Sequence, residues 1–300
     1  MTGNQRIVAV LGLGAMGLPM ATRLAQQHRV TGFDVSAQRR QLAAGAGVDV
    51  AATAAGASAA ADAVVISVRH AGQLEDVLFG PAGVAATLRP GAVVVLTSTV
   101  GADAAVSVAD RLAAHEVSLV DAPVSGGPVR AGEGDLLIVV GAPDEALERS
   151  RPVLDALASS LVVVGPRVGD GQQLKTVNQL LCGIHTAAAA EALALAHALG
   201  LDLDRTIEVL GRGAAASFML ADRGPRMAQQ LRGEEPPLTS RLDVIAKDMG
   251  IVAHLAHGSQ VAIPVAAAAE QLYRIGRAHG MGAADDSVVT TLLAGGEEDR

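Results

Sequence analysis

Apolar residues along this chain follow two rhythms. Up to about residue 165, short runs rich in Val, Ile and Leu alternate with longer, Ala-rich stretches. The runs are 7–11, 30–33, 64–68, 93–96, 119–120, 136–140 and 161–164, and Gly, Asp or Pro flank several of them. Such runs suit strands buried on both faces of a parallel sheet with covering helices. The stretches between the first few, such as 19–27 and 36–44, read as crossover helices. A βαβαβ order follows, and with it a Rossmann-type, doubly wound α/β domain over residues 1–165.

The rhythm changes at Gly165-Pro166. Beyond it β-branched runs become scarce and helix formers dominate. Residues 172–199 predict one long helix, with Asp170 as N-cap and Gly200 as C-cap. Further helices are predicted over 204–212, 217–231, 240–257, 264–279 and 285–294. Residues 166–300 therefore read as an all-α substrate and oligomerisation domain, with the long helix spanning the junction. Ala-rich helical faces pack closely on partners, so a homodimer or homotetramer is expected. The polar tail, 295–300, is expected to fray.

Composition narrows the function. Half of the 300 residues are hydrophobic and 18% are charged, which excludes a disordered chain. The aromatic set is three Phe, one Tyr and no Trp, and the net charge is −8. Little is available to stack on bases or to neutralise phosphates, so no nucleic-acid partner is expected. The lone Cys182 permits no internal disulfide and no thiolate metal site. The eight histidines show no HxH or HExxH spacing, so no metal is expected. The most apolar stretch, 184–199, is interrupted by Glu191 and two histidines, so no membrane span and a cytoplasmic location are expected.

Three motifs carry chemistry. The first is Gly12-Leu13-Gly14-Ala15-Met16-Gly17, which leaves a predicted strand and opens a predicted helix, the context of a dinucleotide fingerprint. Gly12 allows the tight turn, Gly14 admits a pyrophosphate to the backbone, and Gly17 lets helix and strand pack. Asp34 ends the second run; a carboxylate there can accept both ribose hydroxyls of NAD and repel the 2′-phosphate of NADP. Arg39 and Arg40 follow closely and leave NADP possible.

The second motif is Asp121-Ala122-Pro123-Val124-Ser125-Gly126-Gly127-Pro128. Its Ser-Gly-Gly turn offers a hydroxyl and backbone N–H groups to a carboxylate ligand. The third is Gly169-Asp170-Gly171, followed by Lys175, Asn178, Gln179 and Cys182 on one helical face. That face meets either water or a polar site. A lysine whose pKa is lowered by burial or a nearby positive charge can serve an alcohol/carbonyl reaction.

In this order, the motifs resemble the β-hydroxyacid dehydrogenase family, which includes 3-hydroxyisobutyrate dehydrogenases and tartronate semialdehyde reductases. The resemblance rests on GLGAMGLPMA (12–21), Ser98-Thr99, DAPVSGGPVRAGEGDL (121–136), GDGQQLKTVNQL (169–180) and Lys247-Asp248, and covers nearly the whole chain. It implies that Lys175 exchanges the proton at the substrate oxygen. It implies that Ser125, Gly126 and Gly127 hold the substrate carboxylate, and that Asn178 and Gln179 fix the substrate. Gln179 stands where the family usually has Asn, as in tartronate semialdehyde reductases and L-threonate dehydrogenases. Thr99 and Lys247 match cofactor contacts near the nicotinamide, and Val68 matches one at the end of the third run.

Two departures stand out. Leu96 replaces the Asp usual before the Ser-Thr pair, and Val68-Arg69 replaces a usual Leu-Pro. The expected activity is hydride transfer between NAD(H) and a small β-hydroxy acid or its semialdehyde, of the 3-hydroxyisobutyrate, tartronate semialdehyde or threonate type. Three alternatives compete with that reading. An imine reductase shares the scaffold but typically lacks the lysine. A 6-phosphogluconate dehydrogenase needs a much longer helical half. A non-catalytic dinucleotide sensor needs only the first motif. Arg223 and Arg226 are expected in surface salt bridges rather than on an anionic substrate, and His185 and His197 on a helix surface or interface.

Overall fold

Residues 5–294 are described by the computed structural model; the predicted frayed tail lies outside them. In chain order the first elements are β1 (Ile7–Leu11), α1 (Gly17–Ala25), β2 (Arg29–Phe33), α2 (Ala37–Gly45), β3 (Asp49–Val50), α3 (Ala54–Ser58), β4 (Ala63–Ile66) and α4 (Ala71–Phe79). They continue as β5 (Val93–Leu96), α5 (Ala102–Ala113), β6 (Ser118–Asp121), β7 (Val124–Ser125), α6 (Gly127–Glu133), β8 (Leu136–Gly141), α7 (Asp144–Leu157) and β9 (Ala158–Gly165). The strands form one sheet in the order β3-β2-β1-β4-β5-β6-β8-β7, with β9 beside β8. From β3 to β6 all pairings are parallel, and β8 runs antiparallel to β6 and β7.

The apolar runs form strands because they are covered on both faces. In β1, Val8 and Val10 enter one core with Met20 and Leu24 of α1, while Ala9 and Leu11 enter the other with Leu74 and Leu78 of α4. The two-residue strands β3 and β7 carry too few apolar positions to show in the sequence pattern. Strand order reverses about β1, which puts β2 on one side and β4 on the other. The crevice beyond the carboxyl ends of β1 and β4 is where such sheets bind ligands.

The remaining helices are α8 (Asp170–Ala198), α9 (Leu203–Gly211), α10 (Phe218–Leu231), α11 (Leu242–Gly258) and α12 (Pro264–Ala278). The chain divides into two compact units, one ending at Lys175 and one starting at Thr176, so α8 begins in the first and continues in the second. In the second unit Ala190 and Leu193 of α8 pack with Met227, Met249 and Leu272. The single tyrosine, Tyr273, is fully buried there and donates to the Gly183 carbonyl at 2.5 Å. A Cβ at Gly183 would displace the Met249 side chain, so Gly183 lets α11 pack closely on α8.

Three expectations change here. The helix predicted over 285–294 is a 3₁₀ segment, Asp286–Leu292. Its start is tied sideways, by Asp286 N–H to the Ser240 carbonyl and by a bridge between Arg241 and Asp285, and this competes with α-helical winding. Asp170 does not cap α8: it is the first helical residue, and a carboxylate from the sheet caps it instead. By length and composition α8 is apolar enough to cross a membrane, which counting uninterrupted apolar residues does not signal. Of its most apolar stretch, 44% is buried inside the protein.

Candidate active site

The glycine loop connects β1 to α1. Gly12 has φ +93, in the region that favours glycine, and a Cβ there would strike the Ser67 carbonyl at the end of β4. A Cβ on Gly17 would strike the Gly12 carbonyl, so these two glycines close the loop onto the strand ends. Gly14 differs: nothing lies within 4 Å of where its Cβ would point. No side chain caps α1 and no acid occupies its first turn. An open approach to backbone N–H groups at the positive end of a helix suits a diphosphate. The loop residues Leu13, Ala15 and Met16 follow this geometry, with Leu13 buried and Ala15 exposed.

Asp34 follows β2 directly. Its Oδ2 accepts from Leu13 N–H and its Oδ1 from Ser36 N–H, each at 2.8 Å. It thus braces the glycine loop, and each carboxylate oxygen can accept a further donor. Arg39 and Arg40 are not simply solvated. Arg39 Nε donates to the Leu13 carbonyl at 2.6 Å, and Arg40 donates to the Asp34 and Val35 carbonyls, 5.7 Å from the Phe33 ring centroid. Beyond β4, Val68 N–H donates to Ser98 Oγ at 2.7 Å, which joins the ends of β4 and β5. Thr99 follows, half-buried, and Arg69 is exposed.

The Ser-Gly-Gly turn lies between β7 and α6, with φ +143 at Gly126 and +75 at Gly127. Lys175, 8% exposed, donates from Nζ to Ser125 Oγ at 2.7 Å. Fifty residues apart in sequence, these two predicted residues meet. Lysine and arginine together number 23, yet only two are lysines, Lys175 and Lys247, and both fall in family motifs.

Two residues given no role from sequence organise this corner. Asp121, at the end of β6, is fully buried. Its Oδ2 accepts from Gly169 N–H at 3.0 Å and Gln172 N–H at 2.8 Å, and its Oδ1 from Gln172 Nε2 at 2.8 Å. Burial pushes its pKa up to about 6, against the lowering effect of these hydrogen bonds, so at neutral pH it still acts as a pure acceptor. Asp121 opens the second motif and Gln172 lies in the third, but nothing in the sequence pairs them across 51 residues.

In the second unit, Asn178 Nδ2 donates to Gln179 Oε1 at 2.9 Å and contacts Cys182 Sγ at 3.4 Å. Gln179 Nε2 donates to Asp248 Oδ2 at 2.6 Å, and Lys247 pairs with Asp248 at 2.7 Å. Arg223 and Arg226 are not surface residues, contrary to expectation. Their side chains are 15% and 11% exposed and bind Asp222, Asp285 and Asp286. They serve the interior because α10 and the 3₁₀ segment pack together, which sequence spacing does not reveal. Of the two histidines expected at a helix surface, His185 is exposed and His197 half-buried. Among the described residues no three His, Cys, Asp or Glu side chains cluster as metal ligands.

Two family models cover the chain. One, the NAD-binding domain of 6-phosphogluconate dehydrogenase, matches residues 7–165. The other, the NAD-binding domain of NADP-dependent 3-hydroxyisobutyrate dehydrogenase, matches residues 169–293. The chain is 37% identical to an L-threonate dehydrogenase from Pectobacterium atrosepticum, over 96% of this chain and 94% of that one. It is 32% identical to a 2-(hydroxymethyl)glutarate dehydrogenase from Eubacterium barkeri, over 94% and 93%. A 3-hydroxyisobutyrate dehydrogenase structure from Salmonella typhimurium superimposes with TM-score 0.87 at 35% identity, over 95% of this chain and 99% of that one. With relatives this similar over nearly their whole length, the chain belongs to the β-hydroxyacid dehydrogenase family, as an NAD(P)-dependent oxidoreductase of hydroxy acids.

Proposed function

We propose that the chain oxidises a small, multiply hydroxylated carboxylic acid of the L-threonate type, with NAD preferred to NADP. The observation that carries the chemistry is the 2.7 Å contact from Lys175 Nζ to Ser125 Oγ, which sets an amine beside a carboxylate-binding turn. The threonate type is favoured because L-threonate dehydrogenases are among the relatives. Gln179, in place of the usual Asn, agrees with that choice.

The cofactor supplies the hydride acceptor; the rest belongs to this chain. Ser125 and the N–H groups of Gly126 and Gly127 hold the substrate carboxylate. As a neutral amine, Lys175 takes the hydroxyl proton as the carbonyl forms and becomes the ammonium, which returns the proton in the reverse direction. Asn178 and Gln179 fix the hydroxyl-bearing carbon. Gly12 to Gly17 receive the diphosphate, Asp34 the adenosine ribose, and Val68, Thr99 and Lys247 the nicotinamide side. In this reading residues 1–165 form the cofactor domain, with the Ser125–Gly127 turn reaching the substrate, and residues 166–300 the substrate and assembly domain, with Lys247 reaching the cofactor, in a cytoplasmic protein. An imine reductase is disfavoured by Lys175, and a sensor has no use for the Lys175–Ser125 pair.

Initial rates at the reduced-nicotinamide absorbance band test this with L-threonate, D-glycerate, 3-hydroxyisobutyrate and L-serine, each with NAD and NADP. L-Threonate with NAD should give the highest kcat/KM. Asp34→Ala should raise the KM for NAD by about tenfold or more, the worth of a hydrogen bond to a charged group, and narrow the gap to NADP. Better use of NADP by the unmodified chain refutes the role of Asp34. Exclusive use of 3-hydroxyisobutyrate refutes the substrate.

A homo-oligomer belongs to the same proposal. Leu174, Val177, Leu181, Leu195 and Leu199 of α8 and its end are 42%, 54%, 49%, 62% and 66% exposed, a larger apolar display than one helix usually leaves to water. Light scattering at micromolar concentration should give a multiple of 30.2 kDa, and Leu195→Glu combined with Leu199→Glu should reduce it. A monomeric parent chain overturns the proposal.

A further inference from the structure

We propose that Asp121 and Gln172 are positioning residues for the reaction, together holding Lys175 against Ser125. The inference rests on the reading of Lys175 as the proton carrier. The first turn of a helix has N–H groups with no partner inside the helix. At the start of α8, Asp121 reaches from the end of β6 to bind the N–H groups of Gly169 and Gln172. Gln172 fastens the same turn to the segment after β5. Its Oε1 accepts from Val100 and Gly101 N–H at 2.9 and 3.1 Å, and its Nε2 donates to the Ser98 carbonyl at 3.0 Å as well as to Asp121.

The orientation of this amide is dictated. Reversing it would set an NH₂ group against two N–H donors and an oxygen against a carboxylate and a carbonyl. Both residues are fully buried, so water cannot replace a lost partner. Glycines permit the close approach. A Cβ on Gly171 would come within 2.9 Å of the Asp121 carbonyl, and one on Gly141 within 2.7 Å of Gly171 N.

The consequence falls on Lys175. It lies three residues beyond Gln172, on the same side of the helix one turn later. Ser125 lies four residues beyond Asp121. A single carboxylate therefore fixes the starts of both segments whose side chains meet at Nζ and Oγ. Proton transfer demands placement of that quality, since a misplacement of about 1 Å can cost ~10²-fold in rate.

The test is a charge swap, Asp121→Asn combined with Gln172→Glu. In the double variant the introduced amide keeps an oxygen for the two helix N–H groups and turns its NH₂ toward the introduced carboxylate. That carboxylate still accepts from Val100 and Gly101 N–H, while its other oxygen now faces the Ser98 carbonyl in place of a donor. Each single substitution should lower kcat with L-threonate and NAD by roughly 10–100-fold. NAD affinity should stay within a few-fold, and the pair should recover part of the loss and exceed either single variant. A second readout needs neither cofactor nor substrate. Trace acetylation followed by mass spectrometry should show Lys175 reacting faster, relative to Lys247, in each single variant and returning in the swap. Gln172→Ala serves where a single charge change prevents folding. Unchanged Lys175 reactivity in the single variants, or a swap no better than either, overturns the proposal. Retention of the parent rate by Lys175→Ala would instead remove the lysine from the chemistry, and acetylation would still report whether it is positioned.

Discussion

Lys175→Ala is expected to lower kcat by about 10²–10⁴-fold, the usual worth of a positioned general acid–base, with little change in NAD affinity. In the proposed site the dinucleotide contacts come from the β1–α1 loop and Asp34, which the substitution does not touch. Lys175→Arg should fail as well, although it keeps a long basic side chain, because a guanidinium stays protonated near neutral pH and cannot take the hydroxyl proton. Ser125→Ala should behave differently. Its hydroxyl accepts from Lys175 and faces the proposed carboxylate in ground and transition states alike, so KM should rise more than kcat falls. Steady-state kinetics of the three variants, with cofactor binding measured by fluorescence, decides the matter. A Lys175→Ala protein within a few-fold of the parent rate would leave Ser125 and its turn as a binding site without its proton carrier.

The second large effect is on stability. Arg226 bonds Asp285 at 2.9 Å and Asp222 at 3.2 Å, and Arg223 bonds fully buried Asp286 at 3.1 Å. Burial pushes the Asp286 carboxyl above the ordinary range, partly offset by Arg223. Burial also acts to raise Asp285, but N–H donors from Thr239 and Ser240, with Ser287 and Arg226, hold it below the ordinary range. Arg226→Ala would leave three carboxylates, Asp222, Asp285 and Asp286, with Arg223 as the remaining cation of the network. A loss of roughly 3–5 kcal/mol is expected, or about 10–15 °C in Tm. Arg226→Ala with Asp285→Ala should cost less than the sum of the two singles, because they share one interaction. A depressed carboxylate stabilises the fold above its unfolded pKa and loses that contribution as pH falls through its folded value. The Arg226→Ala penalty should therefore shrink below about pH 4. Thermal unfolding across pH checks both points, and a penalty under about 1 kcal/mol at neutral pH, the scale of a surface pair, would contradict the buried network.

These two networks mark the boundary between what is legible in the sequence and what is not. The apolar runs at 7–11, 93–96 and 136–140 announce buried strands because burial on both sheet faces removes polar positions from them. Gly12, Gly14 and Gly17 announce the phosphate loop because the loop needs a positive φ or close backbone approach within six residues. Lys175, Asn178 and Gln179 announce a polar helix face through 3.6-residue periodicity. Each of these signals is local, written in neighbours along the chain. By contrast, Asp170 looks like the N-cap of α8 because local rules favour an acid there, yet Asp121 does the capping from 48 residues away. Arg223 and Arg226 look like surface residues because charge usually means water, and only the packing of the 3₁₀ segment against α10 gives them Asp285 and Asp286. Sequence determined the longer strands, the glycine loop and the residue types proposed for the chemistry. Tertiary structure alone decided which carboxylate meets which donor, because a hydrogen bond between distant segments depends on where the sheet ends, not on residue spacing.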